Sequence, residues 1–259
     1  MRKLLYILPL ILITYSCGNS STGKTDEEWI SLFNGKDLTG WDIKIKGYEL
    51  NNNYNNLFKV EDGVIKASYE NFDKFNGEYG HLIYKEPFSH YRLRVEYRFV
   101  GEQAPGGESW AYKNSGVLLH SQSAASMEID QDYPVSIEAQ LLGGDGTAER
   151  PTCNVCTPGT HVVINGQLVE QNCTNSLSKT YSGEEWVSAE FVVLGDSIIK
   201  HIVEGKVVMA YSKPVVGGTN KPADYPVPDG TAVKEGYICL QAESHPVEFR
   251  KVELLKLEK

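Results

Sequence analysis

Tyr91-Arg92-Leu93-Arg94-Val95-Glu96-Tyr97-Arg98-Phe99 alternates without a break between an apolar and a charged side chain. Successive side chains of an extended backbone point to opposite faces, so the run predicts a strand with its odd residues in a core and its even residues in water. The same period of two recurs at 57–60, 64–68, 116–121, 135–142, 186–194, 197–203, 207–212, 237–242 and 247–257. Tight-turn residues separate several of these runs: Glu61-Asp62-Gly63, Glu204-Gly205-Lys206, and Asn165-Gly166 between 161–164 and 167–169. Asn-Gly suits a two-residue hairpin because both residues tolerate positive φ. No long stretch keeps a helical repeat. The expected fold is all-β, two antiparallel sheets packed as a sandwich or jelly roll in one domain.

The composition fits that expectation. The chain has 259 residues, 41% of them hydrophobic, with 24 Gly and 15 Tyr, which is too apolar and aromatic for a disordered chain. It lacks the repeated apolar runs of about 20 residues that a membrane bundle needs. With 25 Lys+Arg against 34 Asp+Glu and a net charge of -9, it also lacks the basic excess that nucleic acid or anionic lipid would call for.

The first residues have a different character. Arg2 and Lys3 precede an apolar stretch from Leu4 to Ile13, and Thr14-Tyr15-Ser16 leads into Cys17. That layout is a secretory signal resembling a bacterial lipoprotein leader, with 1–16 removed, Cys17 lipidated, 17–27 a tether and 28–259 the folded domain. The expected location is the cell envelope, held to the membrane only through the N-terminal lipid. In an oxidising compartment Cys153, Cys156, Cys173 and Cys239 read as disulfide formers, and the pairing Cys156–Cys173 would staple the hairpin around Asn165-Gly166.

The longer connections, 69–80, 101–114, 143–159 and 214–235, are rich in Gly, Pro, Asn and aromatic residues, and such loops at a sandwich rim are where binding groups sit. Gly143-Gly144-Asp145-Gly146 lacks the Lys-Ser/Thr and helix of a phosphate cradle and reads as a turn. On the strands, Ser136, Glu138 and Gln140 share one face, as do Gln241, Glu243 and His245, while His120 ends one strand and His201 lies on another. Each alone is an ordinary strand residue. Together, beside Trp110 and Tyr112, they suit a carbohydrate ligand, with amides and carboxylates for hydroxyls and an aromatic platform for the C–H face of a ring.

Three segments occur in order: Leu32-Phe33-Asn34-Gly35-Lys36-Asp37-Leu38-Thr39-Gly40-Trp41; Asn114-Ser115-Gly116-Val117 with Ile137-Glu138-Ala139-Gln140-Leu141; and Gly236-Tyr237-Ile238-Cys239-Leu240-Gln241 with His245-Pro246-Val247-Glu248-Phe249-Arg250-Lys251-Val252. In these the chain resembles the 3-keto-disaccharide hydrolase domain family, over about residues 28 to 259. The resemblance implies a concanavalin-like jelly roll that acts on glycosides oxidised to a ketone at carbon 3. Lys251 and Glu204 stand where the family often has Asn. A 3-ketone acidifies the proton on carbon 2, so a base can remove it and the enolate can expel the glycosidic oxygen from carbon 1. For that chemistry Glu138, His120 and His201 are the expected catalytic groups, with Gln140, Gln241, His245, Trp110 and Arg250 holding the sugar. A divalent metal on Glu138 and a histidine would serve the enolate, although no HxH or HExxH spacing announces one. Two alternatives stay open. Glu128-Ile129-Asp130-Gln131-Asp132 resembles the carboxylate strand of β-glucanases, and a lectin-like lipoprotein could bind glycans without turning them over.

Overall fold

The computed structural model describes residues 28–258. Among them run seventeen strands: β1 (Ile30–Ser31), β2 (Trp41–Ile45), β3 (Phe58–Glu61), β4 (Val64–Ala67), β5 (Gly80–Tyr84), β6 (His90–Phe99), β7 (Asn114–Ser121), β8 (Ile137–Leu142) and β9 (Asn154–Cys156), then β10 (Thr160–Ile164), β11 (Gln167–Val169), β12 (Cys173–Thr174), β13 (Val187–Leu194), β14 (Ile198–Val203), β15 (Lys206–Val216), β16 (Tyr237–Ala242) and β17 (Val247–Lys256). They form two antiparallel sheets. The larger has the order β11-β10-β15-β14-β13-β6-β17-β4-β3, with β1 paired to β17; the smaller has the order β12-β9-β8-β7-β16-β5-β2. This is the expected jelly-roll sandwich.

The alternation in β6 does what its pattern demands. Tyr91, Leu93, Val95, Tyr97 and Phe99 are buried in the interface between the sheets, where they meet Val117, Leu119, Ile137, Ala139, Ile238 and Leu240 from the smaller sheet. Burying one such side chain stabilises the fold by roughly 1.5–3 kcal/mol. The even residues of β6 form an ionic ladder on the outer face of the larger sheet. Arg92 and Arg94 both bind Glu190, Arg98 binds Glu248, and Arg250 donates to Glu96 at 2.6 Å. Arg94 stacks on Trp29 at 3.7 Å, and Arg98 and Arg250 flank Trp186.

Asp62-Gly63, Asn165-Gly166 and Glu204-Gly205 each have positive φ at both residues, the backbone that two-residue hairpins need. The opening segment 32–41 is also structural. Asn34 Oδ1 accepts from the Lys36 and Asp37 amides, Asp37 accepts from Thr39, and the buried Trp41 indole donates to the Leu32 carbonyl.

Five strands escape the period-of-two reading: β1, β2, β5, β9 and β12. In β5 the residues Gly80 to Ile83 are all buried, because core lies on one side and loops cover the other, so no alternation remains to be read. The expectation that all four cysteines of the domain join disulfides needs correction. Cys156 and Cys173 are bonded across the paired strands β9 and β12, whereas Cys153 and Cys239 are buried free thiols. Cys153 belongs to the core between the sheets and Cys239 to a separate apolar cluster with Leu118 and Ile83, so they cannot meet. The leader, Cys17 and the tether to residue 27 lie outside the described residues.

Candidate functional site

One face of the smaller sheet points into the core and the other carries polar side chains. In β8, Ile137, Ala139 and Leu141 face inward, which turns Glu138 and Gln140 outward. In β16, Ile238, Leu240 and Ala242 face inward, which turns Gln241 outward, and Glu243 follows the strand on the same side. Register places these groups together. Lys44 of β2 is opposite His81 of β5, His81 opposite Gln241, Gly116 of β7 opposite Gln140, and Gln140 opposite Asn154 of β9. Asn154 donates to Gln140 Oε1 at 3.0 Å.

Over this floor opens a cavity of about 310 Å³, lined by Asn114, Glu138, Gln140 and Glu243 from the sheet side, with Trp110, Tyr133, Pro158, Asn172, Asn220 and the Cys156–Cys173 bond as walls. Three of the four long connections supply walls: 101–114 brings Trp110, 143–159 brings Pro158 and 214–235 brings Asn220. The fourth, 69–80, brings Tyr79, whose ring stacks on Trp110 with centroids 6.3 Å apart. Trp110 is 48% exposed, leaving an indole surface available to a ligand.

The floor is buried yet short of partners. Asn114 Oδ1, both amide atoms of Gln241 and Glu243 Oε2 are enclosed without a hydrogen bond. Buried polar atoms are nearly always paired, so a group of orphans around one cavity is the mark of a place kept for a ligand. The electrostatics agree. Burial, reinforced by the neighbouring Glu243, pushes Glu138 well above the ordinary carboxylate range. Burial raises Glu243 to about 8, and a hydrogen bond with Tyr133 works the other way. Each carboxyl group therefore binds its proton more tightly than an ordinary carboxylate does.

The expected site residues divide between this cavity and other places. Glu138, Gln140 and Trp110 line it and Gln241 lies in its floor beside Glu138. His245 lies just beyond, buried edge-on to Tyr112 at 5.0 Å and Phe99 at 5.7 Å, and burial holds it down to about 4. His201 is a core residue: fully buried, it bonds the Cys153 carbonyl through Nδ1 and the Tyr211 hydroxyl through Nε2, both at 2.9 Å. Its position on the inner face of β14 gives it no access to the cavity. His120 lines a different cavity and bonds the Gly195 carbonyl, because a bulge between β7 and β16 rotates it away from the Glu138 face. Arg250 is on the outer face of the opposite sheet, engaged with Glu96 and Trp186. Ser136 donates to the Pro134 carbonyl and plays no part in the cavity.

Asn114, Tyr133, Asn172 and Asn220 are site residues outside the expected set, and Glu243, expected only on the polar face with Gln241 and His245, lines the cavity beside Glu138. The first four reach the cavity from positions that only the fold brings together. The segment Glu128 to Asp132 is a connection rather than a strand. Asp132 pairs with Lys46 at 2.5 Å, and Glu128 and Asp130 line a small depression that shares Tyr133 and Asn220 with the Glu138 cavity. Among the described residues no three His, Cys, Asp or Glu are grouped as metal ligands. The Glu138–Glu243 pair with the orphaned amide oxygens of Asn114 and Gln241 thus does not match the expected histidine-bearing centre.

Solved structures share the architecture. Two from Parabacteroides distasonis, both named as glycosyl hydrolases, have TM-scores of 0.53 at 20% and 18% identity, with 89% of this chain covered in each case and 94% and 100% of theirs. The exoplasmic/lumenal domain of VIP36, in a form bound to Ca²⁺ and Man3GlcNAc, has a TM-score of 0.50 at 10% identity over 90% of each chain. At these identities the likeness is one of fold. None of the curated proteins matches the sequence. The model of the 3-keto-alpha-glucoside-1,2-lyase-like domain matches residues 28–255, and the chain belongs to that family.

Proposed function

We propose that the protein cleaves 3-keto-glycosides by removing the carbon-2 proton, with the Glu138–Glu243 pair as its acid and base. Family membership supports a glycoside-acting or carbohydrate-binding protein at the coarse level. The observation that carries the finer reading is the pair itself: two buried carboxyl groups with raised proton affinity beside unpartnered amides. Such a pair, singly protonated, contains both a base and an acid. The unprotonated carboxylate takes the proton from carbon 2 and the electron pair passes into the carbon-3 ketone as an enolate. The enolate then reforms the ketone, a double bond forms between carbons 1 and 2, and the glycosidic bond breaks. The leaving oxygen receives the proton of the partner carboxyl group. Water adding across the double bond would complete a net hydrolysis. Gln241 Nε2, buried without a partner, would donate to a sugar oxygen, and Trp110 would offer the ring a platform.

The test is a matched pair of substrates. A 3-keto-glucoside should release its aglycone and the unoxidised glucoside should be inert, with a primary isotope effect when carbon 2 carries deuterium. Equal cleavage of both overturns the proposal, and a chelator arm tests the divalent ion. The exposed Trp110 and the sandwich fold favour one second reading, glycan capture without chemistry. Binding without turnover, unchanged in Glu138→Gln, would establish it. The envelope location and lipid at Cys17 belong to the same proposal and are tested by labelling cells with radioactive palmitate in wild type and Cys17→Ala.

A further inference from the structure

A second cavity among the described residues is larger than the one over Glu138. About 710 Å³ in volume, it opens where the bulged end of β7 meets the 214–235 connection, and it shares no residue with the Glu138 cavity. Its walls combine apolar side chains, Val135, Val216, Val227, Tyr225 and Tyr237 among them, with polar ones that include Asp196, Lys234 and Glu235, and His120 lies in its lining. A volume of this size accommodates a small organic molecule.

His120 gives the cavity its chemistry. The residue is only 3% exposed, and its Nδ1 is enclosed without a partner. Its Nε2 lies 3.2 Å from the Gly195 carbonyl, which can only accept, so Nε2 carries the hydrogen. Burial lowers the affinity of the ring for a second proton, leaving Nδ1 as a bare acceptor. The backbone is arranged around this orientation. His120 has φ of 49°, uncommon for any residue other than glycine, and a Cβ at Gly236 would stand 2.4 Å from the His120 carbonyl carbon. The register between β7 and β16 shifts here, with Leu119 and His120 of β7 set against the single residue Ile238 of β16.

We infer that this cavity is a second binding site, for a neutral hydroxyaromatic molecule whose ring packs against the tyrosines and valines and whose hydroxyl donates to His120 Nδ1. The inference is independent of the proposed reaction. The probe is 2-naphthol, with 2-methoxynaphthalene as the partner that keeps the rings and loses the donor. Titration calorimetry on the folded protein should give submillimolar binding of 2-naphthol and about tenfold weaker binding of the ether, the loss expected when a buried acceptor is left unpaired. Ala232→Trp, which fills the mouth from an exposed position on the cavity wall, should abolish binding, and Trp110→Ala at the other cavity should leave it unchanged. Equal affinity for the two probes overturns the role of His120. Absence of binding, retention in Ala232→Trp, or loss in Trp110→Ala overturns the site.

Discussion

Gly116 lies directly beneath the Glu138 side chain: a Cβ on Gly116 would stand 2.7 Å from Glu138 Oε1 and 3.0 Å from Gln241 Oε1. The Glu138 carboxyl is therefore seated over a gap in the neighbouring strand that only a hydrogen atom can fill. Gly116 has no positive φ, so alanine fits the backbone and the side chains above must yield. Gly116→Ala is expected to lower kcat/KM on a 3-keto-glucoside by roughly tenfold to a hundredfold, since small misplacements of a reacting group are costly. Melting temperature should move by only a few degrees. Full activity in this variant would show that the seat of Glu138 does not matter.

Glu243 makes stability depend on pH. Its folded-state proton affinity is raised to about 8 by burial, so between the ordinary carboxylate range and about pH 8 the folded state binds more protons than the unfolded state. Stability should fall as pH rises through that window. Glu243→Gln removes the titration, and its unfolding free energy from urea titration should match wild type near pH 4 and exceed it at pH 8, by on the order of 3 kcal/mol. Activity should fall by about 10²–10⁴ in the same variant. Parallel pH dependences of wild type and variant would refute the assignment.

His201 sorts core from catalysis. His201→Phe keeps the ring volume but strands the Cys153 carbonyl and the Tyr211 hydroxyl, a cost of about 2 kcal/mol or more for buried groups. Thermal stability should drop while kcat on the keto substrate stays within a few-fold of wild type. A large loss of kcat in well-folded protein would return His201 to the catalytic set.

The Cys156–Cys173 bond closes a loop of 17 residues in sequence separation and forms part of the cavity wall next to Asn172. Cys156→Ser with Cys173→Ser is expected to cost about 3 kcal/mol in stability. KM should rise more than kcat falls, because the bond walls the cavity while Glu138 is also held by the pairing of β8 with β7. Steady-state kinetics of the oxidised and double-serine proteins at a temperature where both are folded checks this.

The fold was legible because water on one side and core on the other write a period of two into β6, β13 and β17. It was illegible in β5, where both sides are covered and the pattern disappears. The site was legible for the same reason in β8 and β16, where Glu138, Gln140 and Gln241 are polar residues opposite an unbroken apolar face. The histidines misled. His201 faces inward and is satisfied by two partners, and His120 sits at a bulge that reverses the side read from simple alternation. Arg250 alternates correctly, but on the outer face of the other sheet, and a strand pattern does not say to which sheet its strand belongs. Asn172 and Asn220 reach the cavity through loops, for which sequence offers no register.

Strand order bears on when the protein can become active. β16 inserts between β7 and β5, and β17 inserts between β6 and β4, so residues 237–256 occupy interior places in both sheets. Neither sheet can zip up progressively as the polypeptide emerges from the ribosome; each must wait with a gap. Pairings of such sequence separation make folding slow. Glu138 and Glu243 come together only when the late strand enters, so partly synthesised chains hold no carboxylate pair, and a chain destined to cross a membrane would remain threadable until its journey is over.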